Sequence, residues 1–385
     1  MEVPFNIELT ENQSIIRDTI REFAEKTIKH VVMQYDESQE FPMGIMQQLG
    51  ELGFLGVLVP EKYGGAGLGY TEFIIIIEEL AKVDPSIALS VAAHNGLGTN
   101  HIFNFGNKEQ KKKYLPDLTS GRKIAAWGLT ESVSGSDAAG LRSVAEKKDG
   151  YYLLNGSKTF TTHGTVGGTL VVMAITDKSK GKKGISAFIL EKGMEGLIVG
   201  KKENKLGMRA SDTTQLTFEN CKVPAENLIG EEGEGFVQAL KILEGGRISI
   251  AALSIGLAQG CLVASMKYSS ERKQFGKHLN EFQGIQFKLA EIATNIEAAR
   301  LLTYKAAVKK DKGQPITKEA AMAKLFASEI AEKASSEAVQ IFGGYGFVKD
   351  YPVEKFYRDV KLCTIGEGTS EIQRIVIARD LLSEE

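Results

Sequence analysis

The chain is poor in several things at once. It has three cysteines in 385 residues, Cys221, Cys261 and Cys363. They lie far apart with no CxxC pair, which argues against a zinc site and a disulfide framework and suits a reducing, cytoplasmic compartment. Charge of one sign is missing as well: 47 basic against 49 acidic side chains leave a formal net charge of -2, no field for gripping nucleic acid or an anionic membrane. The opening MEVPFNIELTENQ has no basic segment followed by an apolar run, and the most apolar stretch, Phe73 to Ile77, is too short to span a bilayer. No GxxxxGK[ST], HExxH, GxSxG or properly spaced GxGxxG is present, so the local signatures of phosphate loops, zinc hydrolysis and serine hydrolysis all fail. Five histidines, His30, His94, His101, His163 and His278, are scattered, and no metal site is expected from them.

What is present is an ordinary globular composition, 43% hydrophobic and 25% charged, enough for a large core in two or three domains. TENQ at Thr10 reads as a capping box, with helical periodicity following it and further helices expected around 43–52, 71–83, 86–105 and 108–114. After Gly121 the texture becomes extended, and Asp149-Gly150 and Asn155-Gly156 read as tight turns between short strands ending near Val223-Pro224. Beyond Gly235 long alanine-rich helical stretches cover 236–270, 282–310 and 317–342, with a last helix through Leu382, as an antiparallel bundle requires. The expectation is an α+β protein: an N-terminal helical domain over 1–121, a central antiparallel β-domain over 122–232 and a C-terminal four-helix bundle over 233–385. No alternating βαβ units and no solenoid repeat occur.

One short stretch, TIGEGTSEIQR from Thr364 to Arg374, sets Glu367 between two glycines just before a helix. Two readings stand: a helix cap by Thr369 or Ser370 with glycines that let the chain turn, or a base held on tightly positioned backbone.

Five segments, WGLTESVSGSDAAGL, GSKTFTTHG, RKQFGKHL, QIFGGYGF and IGEGTSEIQR, resemble the acyl-CoA dehydrogenase family in order and spacing, essentially end to end. The resemblance implies the family fold, with FAD between the β-domain and the bundle, and assembly as a homotetramer, a dimer of dimers. It implies oxidation of an acyl-CoA thioester to the trans-2-enoyl-CoA, with electrons passed to an electron-transfer flavoprotein. Glu367 aligns with the family's usual base. Some members carry the base immediately before an arginine on a bundle helix, which here is Gly246, a residue that cannot take a proton. Arg247 matches an arginine near bound CoA. Trp127, Leu129 and Thr130 match the strand along the flavin, Gly135 and Ser136 the turn near the pyrophosphate and the CoA entrance, and Phe160 and Thr162 the aromatic cover and the hydroxyl at N5. Arg272, Gln283, Gln340, Gly343 and Gly344 match positions around the ADP half, partly from a neighbouring subunit, and Thr369 and Ser370 match cofactor contacts at the last helix. Gly366 and Gly368 flank the base on the substrate side.

The sequence departs from the commonest family pattern at Phe160, where tryptophan is usual, at His163, where asparagine is usual, and at Ser132-Val133-Ser134. The histidine could titrate near neutrality. Gly366 replaces a tyrosine frequent in straight-chain members, which widens the acyl pocket and points to a short straight or branched acyl group. An oxidase or an unusual thioester-processing relative on the same scaffold, and a catalytically silent FAD or acyl-CoA binding protein, are the alternatives; Glu367 argues against the silent protein.

Overall fold

The computed structural model describes residues 8–383; the expected domain ends at 1–7 and 384–385 lie outside them. The chain enters through α1 (Glu11–Phe23), and the capping box at Thr10 forms as expected: Gln13 N–H donates to the Thr10 hydroxyl at 3.2 Å and Thr10 N–H to Gln13 Oε1 at 3.0 Å. The helix runs on through a π-helical turn, Ala24–Ile28, before α2 (Val32–Ser38), α3 (Met43–Glu51), α4 (Tyr70–Ala81) and α5 (Pro85–Ala93). The expected helix over 86–105 is broken by a second π-helical turn, His94–Thr99, that leads into α6 (Asn100–Phe105); α7 (Lys108–Thr119) closes the region. Tight packing accompanies the break, since a Cβ on Gly98 would sit 2.8 Å from the Ala125 side chain and 3.0 Å from the Ala126 carbonyl. Such wide turns recur at functional sites.

Eight strands follow: β1 (Ala125–Gly128), β2 (Val144–Lys147), β3 (Tyr151–Thr162), β4 (Thr169–Ile175), β5 (Ile185–Glu191), β6 (Leu197–Lys202), β7 (Thr213–Pro224) and β8 (Leu228–Ile229). They make one sheet in the order β6-β7-β3-β2-β4-β5-β8, with β1 on β4. The sheet is not purely antiparallel as expected: β1 and β2 both run parallel to β4. Asp149-Gly150 is the turn between β2 and β3, whereas Asn155-Gly156 is no turn at all. It lies inside β3, where the register with β7 slips between Leu154 and Gly156. Gly156 takes φ +135, and a Cβ there would come within 2.5 Å of the Ser143 hydroxyl, so the local turn signal reflects a bulge pressed against a neighbour.

The C-terminal region holds α8 (Gly235–Glu271), a small hairpin of β9 (Lys273–Gln274) and β10 (Lys277–His278), α9 (Gln283–Asp311), α10 (Thr317–Phe342), α11 (Val353–Asp359), α12 (Lys361–Ile365) and α13 (Ser370–Leu382). Helices α8, α9 and α10 pack on one another and α13 packs on α10, giving four bundle helices; α11 and α12 are additional to the expected pattern. The longest apolar element is α8 rather than Phe73–Ile77: it is long and apolar enough to cross a membrane, but 83% of its most apolar window is buried in the protein. Its glycines let α4 approach, since a Cβ on Gly256 would lie 2.2 Å from the Glu78 carbonyl. One continuous core thus joins the two helical regions. The sheet is tied in through Asp359, which accepts from Met208 N–H at 2.5 Å and from Lys355 at 2.5 Å, Lys355 also reaching Asp84 at 2.9 Å.

Candidate active site

The helix-cap reading of TIGEGTSEIQR holds, and the backbone around Glu367 is tightly held as well. Thr369 is the N-cap of α13, its hydroxyl accepting from Ile372 N–H at 3.4 Å. Just before it, Glu367 adopts φ +56 and Gly368 φ +89. A left-handed non-glycine residue costs free energy that its surroundings must offset. Here the offset comes from two buried side chains that neither periodicity nor resemblance had singled out. Gln373 Nε2 donates to the Glu367 and Gly368 carbonyls at 3.1 and 2.8 Å, and Lys324 Nζ donates to the Gly368 carbonyl at 2.8 Å. Gly366 is different, with an ordinary extended backbone (φ -67, ψ 155). A Cβ there would meet only van der Waals contacts with Leu362 at 3.5 Å, so the fold does not demand glycine at this position.

The Glu367 carboxylate turns toward α8. Its Oε2 is buried without a hydrogen-bond partner, and a Cβ on Gly246 would come within 2.5 Å of that oxygen. The two places where a base could stand are therefore mutually exclusive in space: glycine at 246 makes room for the carboxylate of 367. Burial pushes the Glu367 carboxyl up to about 7, against the opposing pull of the Arg247 and Lys324 cations. Arg247 is itself 7% exposed with its Nε unpartnered, and desolvation draws its pKa down. Ser370 Oγ and Gln373 Oε1 are likewise buried and unpartnered. A concentration of unsatisfied polar atoms around a raised carboxyl marks a site awaiting a ligand.

An apolar cluster adjoins this carboxylate. Ala93, Leu97 and Ile242 are buried together, with Phe105 and Trp127 packed on them, and Leu97 reaches within 3.5 Å of the Cβ position at Gly246. Trp127 packs on this cluster. It is held by a hydrogen-bonded chain: its indole N–H donates to His101 Nδ1 at 3.0 Å, and His101 Nε2 faces Gln238 Oε1 at 3.0 Å. Because an indole only donates, His101 carries its proton on Nε2, and burial presses its pKa down to about 4.

On the sheet, Leu129 is buried and Thr130 half-buried at the end of β1, with the Thr130 carbonyl accepting from Thr159 N–H at 2.9 Å. Beneath them a fully buried Lys158 bonds the Leu129 carbonyl at 3.2 Å and Glu131 at 2.6 Å, and Glu131 accepts from Arg142 and Ser143 N–H at 2.6 and 3.0 Å. Gly135 and Ser136 are exposed on the following loop. Phe160 sits where β3 slips register against β7, at φ +54 and 67% exposed, with Thr162 half-buried two residues on. His163 does not behave as expected. It is fully buried, its Nδ1 pairs with the Ala125 carbonyl at 2.9 Å, and desolvation lowers its pKa, so it stays neutral at physiological pH. With His94 Nδ1 accepting from Ala125 N–H at 3.0 Å, the two rings secure both backbone groups at the start of β1.

Three of the remaining candidates gather at the end of α10. Arg272, Gly343 and Gly344 line an open groove of about 670 Å³, where Arg272 lies over the Tyr345 ring at 5.5 Å. Gly343 takes φ 60 and ψ -134, which only glycine adopts readily. Gln283 and Gln340 are exposed at the first turn of α9 and the last of α10. None of the residues lining the groove belongs to the Glu367 group.

Comparison with known proteins identifies the class to which this fold belongs. Family models described as the N-terminal, middle and C-terminal domains of acyl-CoA dehydrogenase match residues 10–122, 126–221 and 233–382. The chain is 48% identical over 370 residues to a short-chain specific acyl-CoA dehydrogenase of Clostridium acetobutylicum, covering 96% of this chain and 98% of the relative. Butyryl-CoA dehydrogenase from Megasphaera elsdenii superposes with a TM-score of 0.96 at 45% identity, over 98% of this chain and 100% of that one. A chain from work on the electron transferring flavoprotein of Acidaminococcus fermentans and flavin-based electron bifurcation superposes with a TM-score of 0.97 at 48% identity, over 98% of this chain and 100% of that one. The chain belongs to the acyl-CoA dehydrogenase family. It is a flavin-dependent oxidoreductase acting on a CH–CH group, and its reaction is acyl-CoA dehydrogenation.

Proposed function

We propose that the protein oxidises a short-chain acyl-CoA, straight or branched, to the trans-2-enoyl-CoA, with Glu367 taking the α-proton. The observation that carries this reading is the Glu367 carboxylate itself: unpartnered, raised to about 7, and aimed into the space left by Gly246. A base with a pKa near the working pH combines a useful ionised fraction with real proton affinity. Expelling water on thioester binding would strengthen it further. Among the described residues the Glu367 N–H donates to no other group, which leaves it free for the thioester carbonyl, where negative charge develops as the proton leaves. Arg247 adds a fixed positive charge beside the same atoms.

The residues fit FAD. Phe160 presents an exposed ring from a left-handed bulge, Trp127 stands on β1 with Leu129 and Thr130 just beyond its end, Thr162 offers a hydroxyl, and a Cβ on Gly135, Gly343 or Gly344 would point into open space. Bound there, FAD supplies the two-electron acceptor for the β-hydride. Ser136 stands with Gly135 at the exposed loop through which the pyrophosphate and CoA would pass. Thr369 and Ser370, at the N-terminus of α13, present amides suited to an anion. Arg272, Gln283, Gln340, Gly343 and Gly344 would suit the ADP half of a cofactor bound across a subunit boundary, and a homotetramer is the proposed assembly. An electron-transfer flavoprotein is the proposed acceptor.

A short acyl group suits the apolar cluster of Leu97, Ile242, Phe105 and Trp127, of which Leu97 lies near the Gly246 position that faces the base. Gly366, not required by the backbone, leaves width next to it. Adding butyryl-, isobutyryl-, 2-methylbutyryl- and isovaleryl-CoA to the yellow protein without oxygen tests the proposal. Bleaching by short chains supports it, and no bleaching by any of the four defeats it.

A further inference from the structure

Lys324 is a fully buried cation. It sits on the buried stripe of α10 with Ala320, Ser328 and Ala331, 0% exposed, and the hydrogen bond its ammonium makes among the described residues goes to the neutral Gly368 carbonyl. Burying an ammonium against a single carbonyl is costly. Methionine would fill the same space without that cost, so a lysine here must act on something close by. Gly368 follows Glu367, and the carbonyl it offers is one of the two that the left-handed pair turns inward. Gln373 already holds both carbonyls, so hydrogen bonding alone does not account for a charge.

Resting on the reading of Glu367 as the base, we propose that Lys324 is a positioning residue with two coupled tasks: it clamps the Gly368 carbonyl that keeps Glu367 left-handed, and its charge keeps this enclosed carboxylate ionisable. The charged and titratable groups facing the pair are Arg247 on α8, Cys363 on α12 and Glu371 on α13. Arg247 pulls on Glu367 in the same direction as Lys324, and burial opposes both. Removing the ammonium leaves Arg247 alone against desolvation, so the carboxyl pKa must rise.

The test uses the intact flavin-loaded enzyme and reads the Glu367 carboxyl directly, as the infrared C=O stretch that disappears in Glu367→Gln, beside the pH profile of kcat/KM. In Lys324→Met the carboxyl midpoint moves up by on the order of one pH unit, kcat/KM at pH 6 falls about tenfold, and the loss lies in kcat rather than KM. Lys324→Gln, which keeps a donor without the charge, shows the same midpoint with a smaller loss in kcat. Gln373→Leu, which loses two carbonyl bonds and keeps the charge, lowers kcat with the midpoint unmoved. If Lys324→Met does not load flavin, Lys324→Gln carries the test. An unmoved midpoint in the Lys324 variants overturns the inference. Full turnover by Glu367→Gln would instead sink the reading of the base, and the infrared midpoints would still report whether the two side chains are coupled.

Discussion

Replacing Glu367 with glutamine should remove turnover and, against intuition, stabilise the protein at alkaline pH. The folded carboxyl holds its proton up to about 7, whereas an unfolded glutamate releases it near ~4.3. The native state therefore binds the extra proton between those values, and stability falls as pH rises through that window, with the full cost present above about 7. At about 1.4 kcal/mol per pH unit that cost is on the order of 4 kcal/mol. Glutamine has nearly the same shape and never ionises. The melting temperature of Glu367→Gln should match the parent near pH 4.5 and exceed it by a few degrees near pH 8.5, at roughly one to two degrees per kcal/mol for a chain of this size. Comparing the two pH values cancels what the amide itself does to packing. A gap between variant and parent that does not widen with pH would show that the carboxylate is not desolvated, and the argument for a tuned base would fall with it.

Further outcomes follow from the same geometry. Gly246→Ala, whose Cβ would stand 2.5 Å from Glu367 Oε2, should cut kcat about a hundredfold by displacing the carboxylate while the melting temperature holds, since alanine suits a helix; activity at the parent level would contradict the placement. In the parent enzyme kcat/KM should rise with pH along a limb near pH 7, as the base loses its proton; a limb near pH 4.5 would mean a solvated carboxylate. Gly366→Tyr should lower the rate with isobutyryl-CoA relative to butyryl-CoA by about tenfold or more, read from anaerobic bleaching, and an unchanged ratio would detach Gly366 from substrate shape. Phe160→Ala should weaken FAD binding by about 1 kcal/mol, measured by flavin titration of the apoprotein.

The order of helices, strands and helices was legible in the sequence because periodicity and turn chemistry are local. TENQ capped α1 where it should, and Asp149-Gly150 made its turn. Local signals failed where distant parts of the chain press on one another. Asn155-Gly156 has the chemistry of a turn but serves as a bulge because Ser143 leaves no room for a side chain. The π-helical turn at His94–Thr99 lies against β1, a contact that no helical period encodes.

The site divides in the same way. The sequence alone put Glu367 between glycines at a helix start, which depends on residue type and on neighbours in the chain, and the family resemblance added position 246 as the other place for a base, where glycine cannot serve. Only the tertiary structure decided that Gly246 and Glu367 share one space, that Lys324 and Gln373 hold the loop by its carbonyls, and that His163 is a buried neutral ring rather than a group titrating near neutrality. Enclosure and charge at a point come from elements tens or hundreds of residues apart in the chain, and the environment of a carboxyl, unlike its position in the sequence, exists only once they have packed.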